Sequence, residues 1–350
     1  MAKNSAIAAK SGVKSSTANA RFPFTPFPNG WFRVAYSDEI ALGQVKPLYY
    51  FGRDLVLFRT ADGIPHLFDA YCPHLGAHLG YGGSVTGETI RCPFHGWQFN
   101  GSGRCTNVPY TNEVPTRAQI PPWPILEIDG LILAYYHAEG KLPSWQVPKF
   151  TRWDAKHWTP FHRQAWRIRT HVQEMVENSV DTTHFVALHG AHTCEHVFLQ
   201  ADGHILTNRM LGGYNISLLE KLKIRGDITI DYTFYGLGLY ATHSSGLHQI
   251  CGWVNATLKL NTILIFMLTP IDPEYLDVHI LYSIRKFSNG ALTRAICKQT
   301  LADTIKLIEQ DIPIMENKLY RSDPLLCEGD GPIMQCRRWS RQFYSEEPQP

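Results

Sequence analysis

Cys72-Pro73-His74, then seventeen residues, then Cys92-Pro93-Phe94-His95 is the stretch on which the fold turns. Each half offers one thiol and one imidazole. Zinc fingers usually group two cysteines in one half and two histidines in the other. A mixed pair in each loop instead suits a two-iron cluster in which the cysteines bind one iron and the histidines the other. Gly76, Gly80, Gly82, Gly83 and Gly96 crowd the same loops. A residue without Cβ lets the backbone come close, so that its amides can donate to cluster sulfides.

Around these loops the chain is a succession of short β-type runs: Trp31 to Ala35, Leu48 to Phe51, Asp54 to Arg59, Pro65 to Asp69 and Leu131 to Tyr136. Gly, Asp and Pro separate them at short intervals, which predicts an all-β domain over residues 23–148.

A second constellation follows in residues 178–190, NSVDTTHFVALHG. It brings two imidazoles into a run framed by Val176, Val180, Phe185, Val186 and Leu188. Asn178, Asp181 and His184 are three apart and predict one strip of a helix surface. His184 and His189 are five apart, about 140° around a regular helix. Both reach one ion only if the helix ends or bulges between them, and Gly190 can supply the stop.

Further on, strands are expected over His204 to Leu211, Asp227 to Tyr235, His248 to Leu258, Thr262 to Leu268 and Leu276 to Lys286. The alternation in Thr229-Ile230-Asp231-Tyr232-Thr233-Phe234 fits an antiparallel sheet with one wet face. A helix is expected over Thr293 to Tyr320, with Pro313 opening it locally by removing an amide donor. Among its acids, Asp303, Glu309, Asp311 and Glu316, position alone selects none as a third metal ligand.

The 350 residues correspond to roughly two domains, and 44% apolar with 12% aromatic residues is ample core material. A formal charge of +2 with scattered Lys and Arg gives no reason to expect nucleic acid. Eight cysteines in a chain this long do not read as a secreted disulfide framework, so a reducing, cytoplasmic setting is expected. Residues 1–22, without an acid, read as a disordered tail or, with the same composition, an organelle-targeting segment. No run of about 18 uncharged apolar residues occurs, so no integral membrane segment is expected.

His192, Cys194 and His196 are expected in a loop after Gly190 rather than as ligands, and His78 as a packing or hydrogen-bonding residue. His66, His137, His171, His243, His248 and His279 have no partners at ligand spacing. Cys105, Cys251, Cys297, Cys327 and Cys336 read as buried small hydrophobes.

The two cysteine–histidine halves resemble the Rieske signature, and Asp181, His184 and His189 resemble the mononuclear iron motif of Rieske non-haem iron oxygenases. Residues 308–344, IEQDIPIMENKLYRSDPLLCEGDGPIMQCRRWSRQFY, are similar to the C-terminal segment of steroid 9α-hydroxylase oxygenase components. HAEG at 137–140 and VPYTNEVP at 108–115 resemble the sterol 7-desaturase side of the family. The resemblance implies an α+β chain: an N-terminal Rieske domain, and over 149–345 a helix-grip (START-like) catalytic domain with an antiparallel sheet. It implies a [2Fe–2S] cluster on Cys72, His74, Cys92 and His95, and mononuclear Fe(II) on His184, His189 and Asp311. Two histidines and one carboxylate on one face of the iron leave positions open for dioxygen.

Further roles come from the same resemblance. Asp181 becomes the bridge for electrons from His95 or His74 of a neighbouring subunit, in a homotrimer that closes head-to-tail contacts. Asn178 is a candidate contact to the iron or its water, or a helix-facing structural residue. Electrons from NAD(P)H would come through a separate ferredoxin or flavin/iron–sulfur reductase, since no flavin or nicotinamide fingerprint occurs in the chain. The implied activity is that of a terminal monooxygenase component. The apolar character of the iron stretch and the facing strands points to a mostly apolar substrate, and the resemblance to steroid hydroxylases and sterol 7-desaturases narrows it to a steroid, sterol or comparable polycycle. Phe234, Tyr240, Trp253 and Phe266 are candidates for lining the pocket or for the ordinary core. The alternatives are an aromatic or chlorophyll-like substrate and a Rieske electron carrier, which would not need the second iron set.

Overall fold

A computed structural model describes residues 21–345 apart from 24, 151–152, 220–221 and 252–255. The N-terminal part is built of short antiparallel strands in three sheets. They are β1 (Gly30–Tyr36), β2 (Val45–Tyr50), β3 (Arg53–Arg59), β4 (Pro65–Asp69), β5 (Ser84–Thr86), β6 (Thr89–Arg91), β7 (Gln98–Asn100), β8 (Cys105–Asn107), β9 (Ile125–Ile128) and β10 (Leu131–Tyr136). The sheets run β1-β10-β9, β2-β3-β4 and β5-β6-β7-β8. The two-residue period of a strand decides how they pack. In β3, Leu55 and Leu57 enter one apolar cluster with Phe32, Leu67 and Ile132, while Val56 and Phe58 enter another with Phe68, Leu79, Ile90 and Phe99. A strand buried on both faces reads as an unbroken apolar run, LVLF, rather than as an alternation.

The C-terminal part holds one seven-stranded antiparallel sheet: β11 (His162–Ile168), β12 (Thr193–Asp202), β13 (Ile205–Leu219), β14 (Leu222–Tyr235), β15 (Leu239–Cys251), β16 (Ala256–Pro270) and β17 (Leu276–Ile284), in the order β11-β17-β16-β15-β14-β13-β12. Its helices are α1 (Val172–Asn178), α2 (Thr183–Ala187), α3 (Gly290–Asn317) and α4 (Ile333–Ser340). In β16, Ile263, Ile265 and Met267 join Trp31, Leu133 and Tyr135 of the N-terminal part. The alternate residues Phe266 and Leu268 join Val172, Val176, Ile308 and Trp339 on the opposite face. One face of the large sheet therefore carries the N-terminal domain, and the other carries the helices and the cavity between them.

The seam between the parts is polar as well as apolar. Arg33, almost wholly buried, pairs with Asp277 at 2.8 Å, and the Tyr50 hydroxyl donates to the same carboxylate at 2.6 Å. His279 is 3.1 Å from Asp277 and 3.1 Å from the Tyr36 hydroxyl, so this histidine is part of the seam rather than an isolated residue.

Several expectations are corrected. The helix expected to carry Asn178, Asp181 and His184 on one strip ends at Asn178, and α2 begins only at Thr183. Cys194 and His196 lie on β12 rather than in a loop, with the His192 amide already bonded to Gly213 O. The run His248 to Leu258 is not one strand, since β15 ends at Cys251 and β16 starts at Ala256. Pro313 does not open α3, which continues to Asn317, where the side-chain amide donates to Pro313 O at 2.7 Å. Cys327 is exposed, whereas Cys105, Cys297 and Cys336 are buried.

Candidate metal centres and the cavity

The two cysteine–histidine loops are copies of one turn. Cys72 and Cys92 each donate an amide to the carbonyl five residues on, Ala77 O at 2.9 Å and Trp97 O at 2.8 Å. Each then accepts at its own carbonyl from a glycine four residues on, Gly76 at 3.0 Å and Gly96 at 3.1 Å. Those glycines sit at φ +75° and +73°, where a Cβ is strained, so the turn itself requires them. The histidine is second after the cysteine in one turn and third in the other, and the rings meet with centroids 4.7 Å apart. Trp97 stacks on His74 at 4.5 Å and anchors itself through an Nε1 bond to the Tyr110 hydroxyl at 2.8 Å.

Both imidazoles present a buried Nδ1 with no hydrogen-bond partner. Native proteins leave few such atoms unpaired. Burial, with a smaller contribution from the neighbouring Cys92 thiol, pushes the Cys72 thiol up to about 12. Two buried thiols and two orphaned imidazole nitrogens are a donor set that fits a cluster with mixed cysteine and histidine ligation. His78 takes no part in that set, and accepts from the Gly80 amide at 3.0 Å.

The second centre is assembled from three elements. Asp181 lies in the break between α1 and α2, where its Oδ1 accepts from the Thr183 amide at 3.0 Å and the His184 amide at 3.4 Å. Its other oxygen is 3.7 Å from His184 Nδ1, beyond a hydrogen bond but within ionic contact, and the side chain is 34% exposed. Burial opposes its charge, yet the ring and amides at His184 and the Thr183 amide hold the carboxyl below its usual range. After α2 the His189 amide reaches back five residues to His184 O at 3.3 Å, a widened turn, and Gly190 follows at φ +70°. The added residue swings the second imidazole round to the first, with ring centroids 5.1 Å apart.

Asp311 comes in from α3. Its Oδ1 is 3.3 Å from His189 Nε2, and the donor atoms of His184, His189 and Asp311 all lie within 4.8 Å of one another. Gln310, which sequence reasoning passed over, places Oε1 3.1 Å from His189 Nδ1. That contact assigns the proton to Nδ1 and turns Nε2 toward Asp311. Burial works against a charged His189, but the contact with Asp311, the charge of that carboxylate and the bond to Gln310 together raise its pKa. The three side chains fit a facial two-histidine, one-carboxylate site.

The framework behind this centre also went unread. Glu177 on α1 is buried, and its Oε2 accepts from Arg337 of α4 at 3.0 and 2.8 Å. Gly329 O accepts from both the Thr182 and Thr183 hydroxyls, at 2.9 and 3.0 Å. At Gly331, a Cβ would lie 2.4 Å from Val180 O. The C-terminal segment thus straps down the break that carries Asp181, and no spacing in the sequence announces it.

A cavity of about 410 Å³ opens between α3 and the large sheet. His184, His189, Asp311 and Asn178 share its wall with Met175, Ile230, Leu264, Phe266 and Ile308. Of the pocket candidates, Tyr240 and Phe266 line it; Phe234 is wholly buried in the core, and Trp253 lies outside the described residues. No described helix is long and apolar enough to cross a membrane.

Comparison with known proteins follows the two-part architecture. Residues 30–119 match the Rieske [2Fe-2S] domain, and residues 134–344 match the 3-ketosteroid 9alpha-hydroxylase C-terminal domain. The chain is 32% identical over 342 residues to a cholesterol 7-desaturase of Xenopus laevis, covering 91% of this chain and 72% of that protein. It is 30% identical over 341 residues to a probable 3-ketosteroid-9-alpha-monooxygenase oxygenase component of Rhodococcus rhodochrous, covering 94% and 82%. Dicamba monooxygenase shares the fold with a TM-score of 0.67 at 18% identity, over 90% of this chain and 97% of that one. With both domain types in order along one chain and relatives of this identity over nine-tenths of it, the protein is an oxidoreductase belonging to the Rieske non-haem iron oxygenases, with a catalytic domain of the 3-ketosteroid 9alpha-hydroxylase type.

Proposed function

We propose that this chain is the terminal oxygenase component of a multi-component monooxygenase that hydroxylates or desaturates a steroid or sterol. The observation that carries the reading is the convergence of His184, His189 and Asp311 on the wall of a largely apolar cavity. Those three residues would hold the mononuclear iron, and Cys72, His74, Cys92 and His95 the [2Fe–2S] cluster. When bound, the cluster supplies electrons singly and the iron activates dioxygen.

The chain's own residues do the rest. Gln310 holds His189 in one tautomer, and Asp311 faces the ring nitrogen so exposed. Phe266, Leu264, Ile230 and Met175 take up an apolar substrate and keep water away from the reacting carbon. Asp181 both touches His184 and reaches the surface, the two properties needed to accept a hydrogen bond from a Rieske histidine of a neighbouring subunit. A homotrimeric ring would bring that histidine into place. Electrons would come from NAD(P)H by way of a separate ferredoxin or reductase. The relatives' names, cholesterol 7-desaturase and 3-ketosteroid-9-alpha-monooxygenase, support the substrate class.

The test is turnover of sterols, steroids and polycyclic aromatics with a surrogate reductase under labelled dioxygen, read by mass spectrometry. An oxidised steroid or sterol is expected, and turnover confined to small aromatics overturns the substrate class. Asp311→Ala should deplete mononuclear iron while the cluster's visible absorption stays, and full iron occupancy would remove Asp311 from the ligand set. Asp181→Asn should keep both metals and lose turnover.

A further inference from the structure

Asp303 is a cavity residue to which the scheme above assigns no task. It lies on α3 two turns before Asp311, about 12 Å along the helix axis, and lines the same cavity. Gln299 Nε2 donates to its Oδ1 at 3.0 Å, while its Oδ2 is buried with no partner. Among the cavity-lining residues, the other orphaned buried polar atoms belong to His184 and Asp311 of the metal triad. The neighbouring hydroxyls are satisfied within the wall. Thr300 Oγ1 donates to Ile296 O and Thr304 Oγ1 to Thr300 O, both at 2.8 Å, and Ser244 bonds to Thr262 across the strands. Burial raises the Asp303 pKa, against the opposing pull of Gln299 and then Lys306. One unfilled acceptor therefore stands in a largely apolar wall, and such an oxygen calls for a donor.

We infer that Asp303 Oδ2 receives the hydroxyl group of an otherwise apolar substrate, anchoring it at one end while a carbon elsewhere in the molecule faces His184, His189 and Asp311. The inference rests on the steroid or sterol reading of the cavity and adds its polar specificity: an alcohol is preferred over the matching ketone, which brings no donor. A site built to pair with a hydroxyl discriminates against the analogue lacking it more strongly than an apolar wall can. Because the anchor and the triad are separated along α3, the hydroxyl-bearing carbon is not the one oxidised.

Equilibrium dialysis of the metal-loaded protein without reductant tests this apart from turnover. The probes are cholesterol, the ketone made by oxidising its hydroxyl, and the hydrocarbon lacking it. Cholesterol is expected to bind about tenfold more tightly than either of the others. In Asp303→Asn the amide oxygen can keep the Gln299 bond while the amide nitrogen replaces Oδ2 as a donor, so preference should shift to the ketone. Equal affinity for all three probes in the unaltered protein means that water satisfies Oδ2, and overturns the inference. An Asn variant with unchanged melting temperature and unchanged preference for cholesterol overturns it as well, because another group is then the anchor. If the variant does not fold, the three probes on the unaltered protein decide. Failure of all three to bind, with a small aromatic bound instead, would be a different result and would sink the steroid reading itself.

Discussion

The two candidate metal centres of this chain are built on opposite plans. The cysteine–histidine turns are local: each closes on itself through two backbone hydrogen bonds and a glycine of positive φ, one after β4 and the other between β6 and β7. The second centre is assembled from distant pieces. One histidine lies on, and the other just after, a five-residue helix too short to be stable alone, its carboxylate comes from α3, and its geometry leans on α4 and the Gly329–Gly331 strap. The cluster turns should therefore tolerate damage elsewhere in the fold, whereas the second centre should respond to substitutions far from any ligand.

The largest test of that contrast is Arg337→Met. It leaves Glu177 buried without its cation, and breaking one partner of such a pair costs about 3–5 kcal/mol. Urea unfolding of the catalytic domain should shift accordingly, with loss of mononuclear iron, while the cluster's visible absorption persists. Equal loss of both centres would mean that they fold as one unit. Gly331→Ala should be next, at about 2 kcal/mol, since its Cβ meets Val180 O and φ is +76°. Titration of the apo site with Fe(II) should show the strap loosened; an unchanged affinity would make the strap passive.

Gln310→Leu should weaken iron binding by roughly tenfold with little change in melting temperature, the usual effect of losing the group that orients a ligating imidazole. A change in stability without a change in metal affinity would assign Gln310 to packing instead. The smallest effect concerns His171, which caps α1 through Gln173 and whose pKa burial lowers from 6.5 to about 3. Here the unfolded chain binds the proton that the folded one refuses, so this contribution to stability is present above pH 6.5 and drains away as pH falls toward 3. Between pH 6.5 and 5.5 the loss should be about 1 kcal/mol, read as the difference in urea midpoint between the protein and His171→Asn. Identical pH profiles for the two would dismiss it.

The same contrast explains what could be read in advance. Strands β1 to β4 and β10 were legible because apolar runs such as LVLF between turn residues have few alternatives, whereas β5 to β9, of three or four residues each, were not. The Asp181, His184 and His189 triplet was visible as spacing, and the need for a break before His189 followed from helical geometry alone. The expected single strip through Asn178 failed because helix period says nothing about where a helix stops. Here the stop at Asn178 is supported by Gly329 and Gly331, from a segment distant in sequence. Gln310 and Glu177 carry no signal of their own, since a glutamine or glutamate on a helix is ordinarily a solvated side chain. Asp311 was singled out from three other acids by resemblance alone, and the fold brings it next to His189.

The sequence by itself determined whatever depends on near neighbours: the turns that need glycine, the strand periods that sort side chains to two faces, and the residue types able to bind iron. Tertiary structure decided which carboxylate on α3 meets His184 and His189, which carboxylate is left to face the cavity, and what holds the α1–α2 break. The physical reason is that these contacts join residues far apart in the chain. Their geometry follows from how whole helices pack on the sheet, and no short stretch of sequence contains that information.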